Sequence, residues 1–190
     1  HMGACSSTTE TNEAFLNKNN FEYTRNLAKF CLERDIRFIY ASSAATYGSG
    51  ENGYSDDESR LKLFQPLNLY GDSKQKFDLW AQAQGVLEKI VGLKYFNVYG
   101  PNEYHKQEMQ SMVRKGFMQI QDTGKICLFK SYKAEYADGN QERDFLYIKD
   151  AIAMTLFFLE KQGIAGIFNV GSGKARNWND LAKALFNTMN

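Results

Sequence analysis

Tyr70 and Lys74 stand four positions apart in Tyr70-Gly71-Asp72-Ser73-Lys74, which opens a run continuing Gln75, Lys76, Phe77, Asp78, Leu79, Trp80. On a helix, that spacing projects a phenol and an ammonium from one face. A phenol with a pKa near ~10 is a poor base at neutral pH, and a fixed cation beside it favours the phenolate. Lowering it by about three units takes roughly 4 kcal/mol of differential stabilisation, more than a surface lysine supplies alone. A lysine, a hydroxyl donor and a cationic cofactor together could supply it. The same pattern also occurs on ordinary helix surface, so its neighbours decide its meaning.

The nearest informative neighbour is Ala41-Ser42-Ser43-Ala44-Ala45-Thr46-Tyr47-Gly48, which follows the apolar Arg37-Phe38-Ile39-Tyr40. A short strand ending in hydroxyl residues presents them at the carboxyl edge of a sheet, where open α/β sheets place ligands. Ser43 could donate to a substrate oxygen or to the phenolate; capping the next turn is the plainer alternative.

A serine after a strand with Tyr-x-x-x-Lys 27 residues later resembles the extended short-chain dehydrogenase/reductase family, whose members epimerise, dehydrate or reduce nucleotide sugars with NAD(P). Gly3-Ala4-Cys5-Ser6-Ser7-Thr8-Thr9-Glu10, Ser42 to Gly48, and Tyr95-Phe96-Asn97-Val98-Tyr99-Gly100-Pro101 leading to His105-Lys106 are similar to its epimerases acting on ADP-heptose. The resemblance implies a Rossmann-like parallel α/β sheet and NADP, with NAD as the alternative. It also implies inversion of ADP-D-glycero-D-manno-heptose at carbon 6 through a transient ketone, supplying heptose for the lipopolysaccharide inner core. A second reading within the family is another nucleotide-sugar epimerase or reductase. A 4,6-dehydratase would need an acidic pair where Ala44-Ala45 stand. A third reading is a non-catalytic nucleotide-sugar-binding fragment.

By resemblance, Tyr70 and Lys106 are the two acid/base groups, with Ser43 assisting as a catalytic and substrate-binding hydroxyl. Two such groups on opposite sides of the carbon would let each oxygen orientation meet its own proton donor, and lysine suits the second because burial readily lowers its pKa. A surface lysine binding phosphate is the alternative for Lys106. Met2, Gly3, Ala4, Cys5, Ser6, Asn19, Lys74, Val98 and Lys106 are expected along the cofactor. Asn97, Glu108, Lys115, Phe129, Lys130, Ser131, Tyr132 and Arg143 are expected along the substrate. A guanidinium matches a phosphate bidentately, which favours Arg143 in Arg143-Asp144-Phe145. Glu108 and Lys115 depart from the heptose pattern, where serine and histidine are expected.

The surrounding elements follow from periodicity and breakers. A helix from Thr11 or Asn12 to Glu33 carries Phe15, Asn19, Tyr23, Leu27 and Phe30 or Cys31 on one face. A polar loop runs from Gly48 to Leu69, long enough to serve a site. A helix from Tyr70 to about Gln84 stops before Gly85, and Ile90 to Val98 reads as a buried strand. Met109 to Gln121 reads as a helix, Ile126 to Phe129 as a short strand, and Tyr132 to Gln141 as a polar insertion. Asp150 is placed as the cap of a helix from Ala151 to about Lys161, and a last helix begins near Trp178.

The expected division is a partial NAD(P)-binding Rossmann domain over 1–105 and a mainly substrate-binding domain over 106–190, with a strand crossing back. Neither Gly48-Ser49-Gly50 nor Gly171-Ser172-Gly173 has dinucleotide-binding spacing. By resemblance, then, the chain begins near the end of the fourth strand, without the glycine-rich front half.

Composition narrows the classes. The 190 residues are 43% hydrophobic with net charge +1, a balance that suits a packed domain and offers no concentrated basic face for nucleic acid. Cys5, Cys31 and Cys127 lack paired spacing and only two histidines are present, so no metal site is expected and the thiols point to a reducing compartment. No apolar stretch approaches about 20 residues. The resulting expectation is a cytoplasmic homo-oligomer with a nucleotide-sugar substrate and neither nucleic-acid nor membrane partners.

Overall fold

In the computed structural model, residues 1–132, 134 and 137–189 are described. Lys133, Glu135 and Tyr136, within the polar insertion expected over 132–141, lie outside them, as does Asn190. The chain forms two compact units, His1–Tyr95 with Ala153–Val170, and Phe96–Ile152 with Gly171–Asn190.

The first unit is built on a parallel three-stranded sheet in the order β1 (Phe38–Ser43), β2 (Ile90–Tyr95), β5 (Gly166–Val170). Phe38 pairs with Ile90 and Ser43 with Tyr95, so the hydroxyl end of β1 arrives at the carboxyl edge. Strand β2 is buried nearly throughout, as expected of a central parallel strand. Helix α3 (Leu69–Ala83) packs on β1 through Phe77, whose ring lies 4.5 Å from that of Tyr40. Truncating Phe77 to alanine would cost about 3–5 kcal/mol. Asn68 starts α3 by accepting from the Gly71 amide at 2.7 Å.

The expected first helix is present as α1 (Glu13–Leu16), a π-helical turn over Asn17–Glu22 and α2 (Tyr23–Leu32). Its buried stripe is Leu16, Asn20, Thr24 and Ala28, one residue on from the expected face. Phe15, Tyr23 and Phe30 of that expected face are exposed. The polar but buried Asn20 and Thr24 disguise the inward side, while the exposed aromatic rings of Phe15, Tyr23 and Phe30 mark the outward one as if it were apolar.

Within the loop expected over Gly48 to Leu69, Glu58–Leu63 forms a 3-10 helix. Asn169 pins the loop to β5: it accepts from the Tyr47 phenol at 2.6 Å, donates its amide to the Tyr54 carbonyl at 2.7 Å, and its backbone N–H reaches Asp56 at 2.8 Å. Arg37 donates to the carbonyls of Phe158, Lys161, Gln162 and Ile164, collecting groups left over at the end of α5 (Ile148–Glu160).

In the second unit β3 (Asn97–Tyr99) pairs in parallel with β4 (Glu142–Tyr147), which pairs antiparallel with β6 (Ala175–Asn177). The strand expected over Ile90 to Val98 is therefore two strands in two sheets, broken at Phe96. Helices α4 (Met112–Thr123) and α6 (Trp178–Met189) complete this unit. No strand forms at Ile126–Phe129, whose residues have no regular structure. Asp150 lies inside the first turn of α5 rather than capping it, where its charge still complements the helix N-terminus. Gly171-Ser172-Gly173 wraps a side chain of the protein itself: Asp144 accepts from the Ser172 and Gly173 amides at 2.8 and 2.9 Å.

Candidate active site

The last residue of β1 meets the first turn of α3. Ser43 Oγ accepts from the Ala45 amide at 3.1 Å, fixing the 3-10 turn Ala44–Tyr47, and its hydroxyl lies close enough to the Tyr70 phenol to influence its ionisation. Glycine at 71 permits this approach, because a Cβ there would stand 2.8 Å from the Ala45 carbonyl oxygen and 3.0 Å from Pro66.

Burial pushes the Tyr70 phenol above its usual value, and the Ser43 hydroxyl opposes that rise. The expectation that Lys74 depresses this phenol is corrected here. Lys74 Nζ lies 5.9 Å from the Tyr70 ring centroid and donates to the Ala41 carbonyl at 2.8 Å, so its charge is directed at the backbone rather than at the phenol oxygen. Burial brings the Lys74 ammonium down to about 8, against the opposing attraction of Asp78. A nearly buried ammonium with one bonded carbonyl retains donors for a ligand hydroxyl.

The segment expected along a cofactor is anchored by Asn20. Its amide donates to the Cys5 carbonyl at 3.0 Å and to Ser73 Oγ at 2.9 Å, while its oxygen accepts from the Cys5 N–H at 2.8 Å. Ser73 in turn donates to the Tyr70 carbonyl at 2.7 Å. One side chain, 1% exposed, thus ties the Gly3–Ser6 segment to the helix bearing Tyr70. Met2, Gly3 and Ser6 are exposed, Ala4 and Cys5 half-buried, and nothing stands within 4 Å of a Cβ built at Gly3. Asn19, the residue singled out by resemblance, is half-buried and donates to the Phe15 carbonyl at 2.8 Å. These open backbone groups and the Lys74 ammonium fit a ribose-bearing dinucleotide.

In the second unit, a cavity of about 310 Å³ is lined by Val98, Gly100, Pro101, Glu103, Lys106 and Ile148. Asn97 is exposed at the start of β3. Exposed Lys106 lies on the 3-10 segment Tyr104–Met109, and its amide donates to the Glu103 carbonyl at 3.0 Å. Glu103 is buried and accepts from the Gly100 amide at 3.0 Å, the Ser111 amide at 2.6 Å and the Ser111 hydroxyl at 2.8 Å. Burial alone would raise this carboxyl; the hydrogen bonds, with Lys106 nearby, outweigh it and hold the group below its usual value. Gln107, next to Lys106, adopts φ 47° and ψ −120°, a conformation that costs a non-glycine residue about 1–3 kcal/mol.

Glu108 and Lys115, the two departures from the expected pattern, engage each other: Lys115 Nζ donates to the Glu108 carbonyl at 2.6 Å and lies 3.3 Å from its carboxylate. Phe129 and Arg143 converge on Trp178, with ring centroids 5.4 Å apart for the first and the guanidinium 5.9 Å from the indole for the second. Lys130 is exposed, Ser131 is held by the Asp138 carboxylate at 2.7 Å, and Tyr132 is 97% exposed. Asn20, Glu103 and Trp178 were not singled out from sequence. Among the described residues no cluster of histidine, cysteine or acidic side chains could hold a metal, and no helix is long and apolar enough to cross a membrane.

A family profile described as the NAD dependent epimerase/dehydratase family matches residues 1–171. A curated relative from Nitratidesulfovibrio vulgaris, named ADP-L-glycero-D-manno-heptose-6-epimerase, is 53% identical over 189 residues, covering 100% of this chain and 58% of the relative. One of the same name from Fusobacterium nucleatum is 54% identical over 187 residues, covering 97% and 56%. The crystal structure of the Helicobacter pylori ADP-L-glycero-D-manno-heptose-6-epimerase superposes with a TM-score of 0.82 at 31% identity, covering 100% of this chain and 57% of that one. The chain thus spans somewhat over half the length of the relatives it matches.

Proposed function

This chain belongs to the NAD dependent epimerase/dehydratase family, and on that premise we propose that the protein containing it epimerises ADP-D-glycero-D-manno-heptose at carbon 6 with NADP. The observation that carries the reading is the meeting of Ser43, at the end of β1, with the buried Tyr70 and Lys74 of α3, where Lys74 donates to the Ala41 carbonyl and Ser43 acts on the Tyr70 phenol. Relatives named for this reaction, at more than half identity, favour this sugar over others.

When bound, the nicotinamide would accept a hydride from carbon 6 and return it to the opposite face. Lys74 would hold the nicotinamide ribose with the ammonium protons that the Ala41 carbonyl leaves free. The Gly3–Ser6 backbone, Asn19 and Val98 would line the rest of that ligand. Tyr70 Oη would take the proton of the carbon-6 hydroxyl as the ketone forms, with Ser43 donating to the phenolate. Lys106 Nζ would serve the other orientation of the same oxygen, giving a proton as the alcohol is restored. Arg143 would pair with the diphosphate, and Phe129, resting on Trp178, would flank the nucleoside. Asn97, Glu108, Lys115, Lys130, Ser131 and Tyr132 would complete the substrate side.

A second reading, another nucleotide sugar of the same reaction class, is favoured by the Glu108–Lys115 pair, which stands where serine and histidine were expected. The test is incubation of the full-length protein with ADP-D-glycero-D-manno-heptose and NADP, resolving the two carbon-6 epimers by chromatography. Conversion to a mixture supports the heptose reading. Conversion only of UDP- or dTDP-linked hexoses would replace it with the second.

A further inference from the structure

Below Ser43 and Tyr70 lies a closed polar network to which the proposed reaction assigns no role. Asp78 Oδ1 accepts from the Tyr40 phenol at 2.8 Å, and Oδ2 accepts from the Ser42 hydroxyl at 2.8 Å and from Lys94 Nζ at 2.6 Å. Lys94 donates also to Thr46 Oγ1 at 2.7 Å, and Thr46 donates to the Ser43 carbonyl at 2.8 Å. Both charged side chains are 0% exposed. The network runs from α3 through β2 to the 3-10 turn and returns to Ser43. Room for the Tyr40 phenol comes from Gly92, where a Cβ would lie 2.4 Å from the hydroxyl.

Stability alone is a weak reason for such a pair, since well-packed apolar residues often serve as well or better. Its position suggests another. Lys74 and Asp78 are four residues apart on one helix, the spacing of an intrahelical ion pair. They do not form one: Asp78 is occupied by Tyr40, Ser42 and Lys94, and Lys74 reaches Ala41 instead. We propose that Lys94 is a positioning residue that, by occupying Asp78, denies Lys74 its neighbouring carboxylate and keeps the Lys74 ammonium on the Ala41 carbonyl beside Tyr70. The titratable groups acting on Lys74 agree with this arrangement: Asp78 and the Cys5 thiol attract its charge and the His1 amino terminus repels it, and none of them captures it. Only the catalytic consequence rests on the proposed function; the placement of Lys74 stands apart from it.

The test follows the titration of Lys74 in the full-length protein by NMR of 13Cε-labelled lysine, assigned by the signal lost in Lys74→Arg. The native midpoint is expected near about 8. Lys94→Met frees Asp78 to capture Lys74 and should raise that midpoint by about one unit or more. Adding Asp78→Asn should return it to within about half a unit of native, and Lys94→Arg should leave it unchanged. An unchanged midpoint in Lys94→Met would overturn the proposal. Should that variant not fold, Lys94→Gln, which removes the cation and leaves Asp78 only a weaker neutral donor, should raise the midpoint by about half a unit, and a midpoint unchanged there would equally overturn the proposal. Turnover measured in parallel separates the two readings: a displaced midpoint with native kcat leaves the positioning of Lys74 intact and removes its catalytic meaning.

Discussion

Ser43 and Tyr70 influence each other across the junction of β1 and α3: the serine hydroxyl favours the ionised form of the phenol that burial disfavours. The Ser43 hydroxyl opposes the upward push of burial on the phenol, so Ser43→Ala should raise the Tyr70 pKa further. The account expects the acid limb of the kcat/KM profile to move to higher pH and kcat at neutral pH to fall by about 10²-fold. A pH–rate series on the full-length protein measures both.

Lys74 makes folding stability depend on pH. Its folded pKa of about 8 lies below its ordinary value of 10.5, so the unfolded chain binds more protons between those values. Stability therefore rises with pH across that window and is lost as pH falls through about 8. The gain between pH 7.5 and 9.5 should reach ~2 kcal/mol at ~1.36 kcal/mol per unit. Urea denaturation at the two pH values should show this slope, and Lys74→Met should flatten it.

Glu103 works in the opposite window. Its pKa is depressed below 4.5, so its contribution is present above that value and is lost as pH falls through the depressed one. Glu103→Gln should cost about 1–3 kcal/mol at neutral pH, through the Gly100 and Ser111 donors left poorly satisfied. Denaturation at pH 7 and pH 4 should show the gap between native and variant narrowing in acid.

The Glu108–Lys115 pair lies at the surface, where ion pairs add little. Lys115→Ala should leave the thermal midpoint unchanged within error. On the proposed function it should raise KM for the nucleotide sugar about tenfold with kcat retained, which steady-state kinetics would show.

Much of the first unit was legible because its signals are local. Asn68 before an amphipathic run starts α3, and hydroxyl residues after a β-rich run end β1. The face of the α1–α2 helix was misread because Asn20 and Thr24 look like surface residues while the exposed Phe15, Tyr23 and Phe30 look like core. Phe96 reads as one more apolar strand residue, although it is where the chain leaves one sheet for another. Asp78 and Lys94 are 16 positions apart in sequence, and their pairing emerges only when α3 lies against β2. A hint was nonetheless present: a lysine inside the apolar run Ile90 to Tyr95 needs a buried partner. Glu103 was illegible for a related reason: two of its three donors are the Gly100 and Ser111 backbone amides, which no side-chain pattern records, and the third, the Ser111 hydroxyl, lies eight positions on.

The most direct measurement is turnover of ADP-D-glycero-D-manno-heptose by the full-length protein carrying Tyr70→Phe or Lys106→Met, alongside substrate affinity of each variant. Two acid/base groups predict that each substitution lowers kcat by about 10²-fold or more while the dissociation constant stays within a few-fold of native. Near-native kcat in Tyr70→Phe would contradict the account, because the buried phenol at the end of β1 would then have no part in the chemistry.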